Sequence, residues 1–386
     1  MQLKTQRVVL LLCAALLSSL AHAEEPPWKL STDSAVYTDT DNVLIVTSQL
    51  GVAHALDEDG GEASATTVVD VVSAASVDVV AQASKRFNEV RWEANLGISK
   101  AFKDVLPSID YRFSSEADYL SHGFGAGLQA RLMGADTVGF FHYGLMLDTV
   151  GRSKTPYSTF SRSLTTHSAD LGITQNLSTR ALLRLVYTLT VQNGYMEKVY
   201  RFVPLFDAAG LARAQQDGAT LNVDTFNAYR LASRPPEEVP DTRGRHALAL
   251  RGLYYLPAID GSLRADYRLY IDDWSMLAHT GELSLYFPLS RSFMLDVFTR
   301  GYTQSAASFY KRVYTVGADD EVPGLRTVDR KLSPYYALTP GARIELHSAP
   351  VDVYFELAAT YTRFTDFLYL DHEIALVGQG GLTWTP

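Results

Sequence analysis

The chain has 386 residues, 47% of them hydrophobic and 20% charged, and carries a formal net charge of -9. These values exclude a polar disordered polymer and a bundle of apolar membrane helices, and the acidic balance leaves no basic face for nucleic acid. With 22 Tyr, 17 Phe and 26 Gly against 6 Met, the composition favours an aromatic-rich all-β protein.

The first segment reads as an export leader. Lys4 and Arg7 precede the apolar run Val8 to Leu17, and Ala21-His22-Ala23 offers a small-x-small cleavage site, so residues 1-23 are assigned to a cleaved signal peptide. The run is shorter than the roughly 20 apolar residues that a spanning helix needs. Cys13 is the only cysteine and Leu12 before it is not small, which argues against lipidation. Without cysteine beyond the leader, the chain has no disulfide, thiolate nucleophile, cysteine-ligated metal or covalent haem.

Past the leader, alternation with a period of two dominates. Strands are expected near 30-39, 42-56, 62-73, 86-100, 105-118, 121-133, 137-149 and 164-176, then near 180-193, 243-256, 260-272, 276-289, 291-303, 331-347, 350-363 and 370-384. In Gly261 to Asp272, for example, Leu263, Ala265, Tyr267, Leu269 and Ile271 share one face and Arg264, Asp266, Arg268 and Asp272 the other. A soluble antiparallel sandwich would alternate too. The expected strands, however, run about 11 to 15 residues, against about 5 to 6 in soluble sheets and about 9 to 11 for membrane strands. Aromatics also recur near strand ends, at Tyr111, Phe113, Tyr119, Tyr254, Tyr255, Phe287, Phe364, Tyr369 and Trp384, as interfacial girdles do. The fold class is therefore all-β, a single transmembrane antiparallel β-barrel in the outer membrane filling 24-386.

Parity sets the strand number. The long connections at 150-163, 194-242 and 304-330 belong outside the cell, because outer-membrane barrels keep their periplasmic turns short. Counting from 42-56 would put them on the wrong side. A strand at 30-39, turning at Asp39 to Asn42, restores the topology and makes sixteen; fourteen follows if the first two segments form a plug or extension. The longest connection carries a short helix at Ala208 to Gln216 and a stiff Arg234-Pro235-Pro236-Glu237-Glu238 stretch. It folds either into the lumen, as a constriction or plug, or over the surface as a cap.

Several stretches together resemble the bacterial outer-membrane family known as domain of unknown function 3570. They are Asp70-Val71-Val72-Ser73-Ala74-Ala75-Ser76, Phe87-Asn88-Glu89-Val90-Arg91, Arg251-Gly252-Leu253-Tyr254-Tyr255-Leu256-Pro257 and Tyr267-Arg268-Leu269-Tyr270-Ile271-Asp272-Asp273-Trp274. Ala278-His279-Thr280-Gly281-Glu282, Tyr302 to Tyr310 and Asp329-Arg330-Lys331-Leu332-Ser333 extend the likeness. The resemblance implies an outer-membrane barrel and carries no established activity. It also suggests a periplasmic redox protein as a partner.

The polar face of the strands lines the lumen. It brings in Glu89, Arg91, Glu93, Asp110, Arg112, Glu116, Asp170, Arg184, Arg251, Arg264, Asp266, Arg268, Glu282, Asp296, Arg300, Arg343, Glu345, Asp352 and Glu356. Such a set either cross-braces the wall through arginine-carboxylate forks or sets a field across a solute path. His142 and Asp148 share the inward register and read as a hydrogen-bonded wall or, alternatively, a metal site. His279, beside Asp272, Asp273 and Trp274, reads as a turn lock or a site. Acidic runs at Asp57-Glu58-Asp59 and Asp319-Asp320-Glu321 read as solvated turns, since neither has EF-hand spacing. Ser168 and His167 point to opposite faces, so no hydrolase pair forms.

The expected function is a non-enzymatic, porin-like passage or export route for a small solute, without cofactor or metal. Its partners are outer-membrane lipid and the barrel-assembly machinery. The alternative is a closed barrel that docks a periplasmic or surface redox partner.

Overall fold

The computed structural model describes residues 28-57, 60-74, 87-132, 136-317 and 321-386. The expected leader lies outside the described residues, as do Glu58, Asp59, Asp319 and Asp320. The first eight long strands are β1 (Trp28–Asp39), β2 (Val43–Ala55), β3 (Glu62–Ala74), β4 (Phe87–Ser99), β5 (Val105–Ser115), β6 (Tyr119–Leu132), β7 (Thr137–Val150) and β8 (Arg162–Ser178). After β9 (Ala181–Gly194) come the two-residue β10 (Leu205–Phe206), helix α1 (Ala208–Gln216) and helix α2 (Phe226–Tyr229). The chain then returns through β11 (Thr242–Leu256), β12 (Gly261–Asp272), β13 (Leu277–Pro288) and β14 (Phe293–Gln304). The two-residue β15 (Tyr314–Thr315) and a 3-10 turn at Arg330–Leu332 precede β16 (Tyr335–Ser348), β17 (Val351–Phe364) and β18 (His372–Trp384).

Every strand except β10 and β15 joins one closed barrel. Each pairs antiparallel with its neighbours in the chain, and β1 closes the ring on β18, with Leu30 opposite Trp384. The barrel has sixteen strands, and the two N-terminal segments are wall. The first hairpin turns where the sequence places it: the Asp39 carboxylate accepts the amides of Asp41 and Val43, each at 2.9 Å, and Asn42 adopts φ 61°.

Alternation turns the barrel inside out relative to a soluble protein. Large apolar side chains lie open on its outer face, including Leu96 at 55%, Ile109 at 61%, Leu171 at 60% and Phe355 at 59% exposure. A sandwich would bury these residues, whereas a membrane barrel hands them to lipid. No helix among the described residues is long and apolar enough to cross a membrane.

The packed apolar core sits at one end. The long connections between β7 and β8, β9 and β11, and β14 and β16 all leave that end, called here the cap end; the opposite end carries short turns. Residues 195-241, 305-317 and 321-334, with the β12–β13 and β17–β18 turns, fold into a cap whose core includes Val203, Phe206, Phe226, Trp274, Phe309, Tyr314, Phe367 and Tyr369. Val203, Phe206 and Tyr314 are fully buried, and each large apolar side chain so removed from water contributes about 1.5–3 kcal/mol. This makes the cap a folded body. β10 and β15 pair in parallel inside it, joining the two longest connections. Asp207 caps α1 by accepting the Gly210 amide at 2.6 Å.

Three expectations change at this end. Phe364 and Tyr369 belong to the cap core rather than to a girdle, because Phe364 lies on the inward register of β17 and Tyr369 in the β17–β18 turn. Tyr119 likewise lies on the inward register of β6. β16 begins at Tyr335 rather than at 331, because Asp329 caps a 3-10 turn by accepting the Lys331 amide at 2.9 Å.

Candidate functional site

The inward registers build two walls of opposite character. On β3 to β8, Asp70, Glu89, Glu93, Asp110, Asp148 and Asp170 share the inward register with Arg91 and Arg112 in mid-wall and with Arg131 and Arg162 at its two ends. Arg91 donates to Asp70 at 2.7 Å, and Arg112 to Glu93 at 2.5 Å. Thr188 donates to Asp170 at 2.5 Å. Asp110 reaches His142, two strands away, at 2.9 Å. It can do so because β6 presents Gly125 and Gly127 inward, and a Cβ on Gly125 would strike the Asp110 carboxylate. His142 is thus a hydrogen-bonded wall residue, and Asp148 is not its partner.

The wall from β9 to β14 is basic. A ladder of directly opposed residues runs from Arg184 through Arg251, Asp266 and Glu282 to Arg300. Arg251 donates to Asp266 at 2.6 Å, Arg264 bridges Asp266 and Glu282, and Arg300 donates to Glu282 at 2.8 Å. Arg184 instead stacks on Phe140, its guanidinium 4.8 Å from the ring. Arg268 stands one row toward the cap, opposite Thr280. Among the described residues neither Arg184 nor Arg268 has a carboxylate partner. Together Arg184, Arg251, Arg264, Arg268 and Arg300 line a cavity of about 890 Å³ with Asp266 and Glu282 as its carboxylates. Tyr302 and Tyr335 line it as well, and Tyr335 packs against the cap core, so the cavity lies directly beneath the cap.

The remaining charged positions spread along the barrel. Asp296 is buried opposite Arg343. Arg343 pairs with Glu345 at 2.6 Å and approaches Glu356 at 3.8 Å. Near the short-turn end His347 bridges Glu345 and Asp352. At the cap end Glu89 and Glu116 approach Asp118, their oxygens within 4.8 Å of one another. Burial pushes the Glu116 carboxyl above its ordinary value, with Asp118 adding to the shift and Arg91 opposing it.

His279 corrects a sequence expectation. It faces outward and bonds Tyr267 at 2.7 Å. The β12–β13 turn is locked instead by Asp272, which accepts the Met276 amide, and Asp273, which accepts the Gly244 amide.

Sequence reasoning missed the junction that holds the cap together. Arg201 donates to Asp329 at 2.6 Å and to Glu237 at 3.3 Å, and Thr327 donates to Glu237 at 2.5 Å. These residues sit in connections without periodicity, where no pattern flags them. Arg330 then anchors the cap to the barrel through Asp41 and Glu373.

A family model described as a protein of unknown function (DUF3570) matches residues 79–365. Among solved structures, a bacterial polysaccharide outer membrane secretin superposes with TM-score 0.50 at 8% identity, over 94% of this chain and 99% of that one. CdiB from Acinetobacter baumannii gives TM-score 0.47 at 9% identity, over 92% of this chain and 60% of that one. The siderophore receptor PirA from Pseudomonas aeruginosa gives 0.46 at 8%, over 93% and 62%. At 8% identity the likeness to the secretin speaks to the outer-membrane barrel fold alone. No curated protein matches the chain in sequence.

Proposed function

The chain belongs to the DUF3570 family, and from that premise we propose that it is a non-enzymatic outer-membrane passage for a small anionic solute, gated at its outer mouth by the cap. The observation that carries this reading is the cavity under the cap, where five arginines face two carboxylates. Arginines paired with carboxylates brace the wall. Arg184 and Arg268 are not so paired and remain available to a solute. In a narrow lumen their charge acts at reduced dielectric, so an anion gains more there than in bulk water. The opposite wall is acidic, and a field across the lumen would orient a solute carrying both signs.

The cap supports gating because its core is formed largely by the two longest connections and packs onto inward-facing Tyr270 and Tyr335. Lipid and the barrel-assembly machinery remain the partners this reading requires. A redox partner, if it docks, would dock on a rim, since the lumen is occupied by charged side chains.

Conductance across a planar bilayer tests the passage, using the refolded protein, a version lacking residues 200-238, and Arg330→Ala. Steady steps that grow in both altered proteins are expected. Silence in all three would overturn the reading in favour of a closed barrel.

A further inference from the structure

A set of polar pairs encircles part of the outer, lipid-facing surface. Tyr111 and His122 Nδ1 lie 2.8 Å apart on β5 and β6; Tyr143 and His167 Nδ1 lie 2.7 Å apart on β7 and β8. Tyr187 and His246 Nδ1, on β9 and β11, and Tyr267 and His279 Nδ1, on β12 and β13, repeat the contact at 2.7 Å. Ring centroids are 6.1–6.2 Å apart in all four, at interplanar angles of 31–38°. The preceding hairpin fills the same diagonal with Trp92 donating to Thr67 at 3.0 Å.

The pairs lie at one height. The ladder through Tyr111 passes Phe124 and Leu145 to reach His167. The ladder through Tyr143 passes Ala169 and Leu189 to reach His246, and that through Tyr187 passes Leu248 and Leu269 to reach His279. Each pair is therefore offset from the last by the same step, one residue per strand. One residue is about 3.3 Å along a strand and neighbouring strands are about 4.8 Å apart, a slope of about 35°, which is the tilt of membrane strands. An offset that follows the tilt makes a level ring. The histidines stand near the cap ends of their strands, with an apolar band below: Leu128, Leu171, Leu250 and Leu283 on the same four strands are all exposed.

Each pair owns two hydrogens able to form hydrogen bonds, one phenolic and one on the imidazole, and the contact within the pair uses one. One donor per pair is left facing lipid, at the edge of the apolar band where lipid offers acceptors. A lone polar group in hydrocarbon is costly, so a repeated one implies a partner. A second barrel would touch only a few strands, whereas the Tyr–His pairs span the eight neighbouring strands from β5 to β13. Lipid is the occupant that extends along the whole arc.

We propose that this ring binds phosphate-bearing lipid headgroups in the leaflet at the cap end, with the spare donors of His122, His167, His246 and His279 directed at phosphate oxygens. The test uses the full-length protein in mild detergent and reads lipid binding by native mass spectrometry, with diphosphorylated and dephosphorylated lipid A as probes. The expected result is preferential retention of the phosphorylated form. Replacing all four histidines by Phe should weaken it about tenfold. Glutamine, whose amide keeps a donor, should restore much of it, and Leu338→Phe with Leu376→Phe on the opposite arc should change nothing. Equal binding of the two lipids, or retention by the Phe variant, would overturn the proposal. So would full displacement by millimolar inorganic phosphate, which would mark a free-anion site. A wild-type dimer that the Phe variant dissociates would assign the ring to a second copy instead.

Discussion

Arg330 donates to Asp41 at 2.9 Å, joining the last turn of the cap to the first hairpin of the barrel. The same guanidinium reaches Glu373 on β18 at 2.8 Å. Asp41 and Glu373 are both buried, so one arginine is shared by two carboxylates that cannot turn to water. Arg330→Ala should remove the guanidinium these two buried carboxylates share, at a cost of roughly 3 kcal/mol to the docked cap. The barrel itself, held by its strand ladder, should survive. Limited proteolysis should show faster cutting within 305-334 while the folded band on an unheated detergent gel persists.

The junction inside the cap gives it a pH profile. Burial pushes the Glu237 carboxyl above its ordinary value of 4.5, and Asp329 adds to the shift against the pull of Arg201. Burial works to raise Asp329 as well, but Arg201 and the Lys331 amide outweigh it and hold that carboxyl below 3.8. A raised folded value stabilises below the unfolded one and loses that stabilisation as pH climbs through the folded value; a lowered one loses it as pH falls. Cap stability should therefore peak between about pH 4 and 5. Hydrogen exchange of the cap amides measures this. Glu237→Gln should flatten the decline toward neutral pH, and Asp329→Asn the loss in acid.

The wall between β5 and β7 depends on a missing side chain. Gly125→Val would drive a branched Cβ into the Asp110 carboxylate and break its contact with His142. Overpacking of this kind costs about 1–3 kcal/mol. The temperature at which the folded band disappears from a detergent gel should fall, whereas Gly281→Ala, with open space at its Cβ, should leave it unchanged.

Much of this was legible in the sequence, and the reasons are physical. Side-chain alternation is a local property of a strand, so β12 could be read from Leu263, Tyr267 and Arg264 alone. Topology supplied β1, since three long connections had to leave the same end. The helix at Ala208–Gln216 lies where the sequence places it. The cap core was not legible, because Val203, Phe206 and Tyr314 meet through connections that follow no period. Nor was the ring of Tyr–His pairs: Tyr187 and His246 are 59 positions apart, and only the register between β9 and β11 makes them neighbours. His279 illustrates the same limit, since a reading along the chain sees Asp272 and Asp273 but not Tyr267 behind it.

The charges of the lumen were each identifiable by parity, whereas their division into an acidic and a basic wall required knowing which strands face which. That division is the basis of the proposed passage. Arg268→Glu should reduce the positive balance of the cavity without touching an ion pair, because Arg268 has no carboxylate partner among the described residues. Arg300→Gln should be milder in its effect on the field and harsher on stability, since it leaves Glu282 with Arg264 alone.

The central claim is tested most directly by the reversal potential of the refolded protein in a planar bilayer under a potassium chloride gradient. A potential of the sign set by chloride is expected, shrinking both in Arg184→Gln with Arg268→Gln and in Arg268→Glu. A cation-selective wild type, or a potential indifferent to Arg184 and Arg268, would contradict the account.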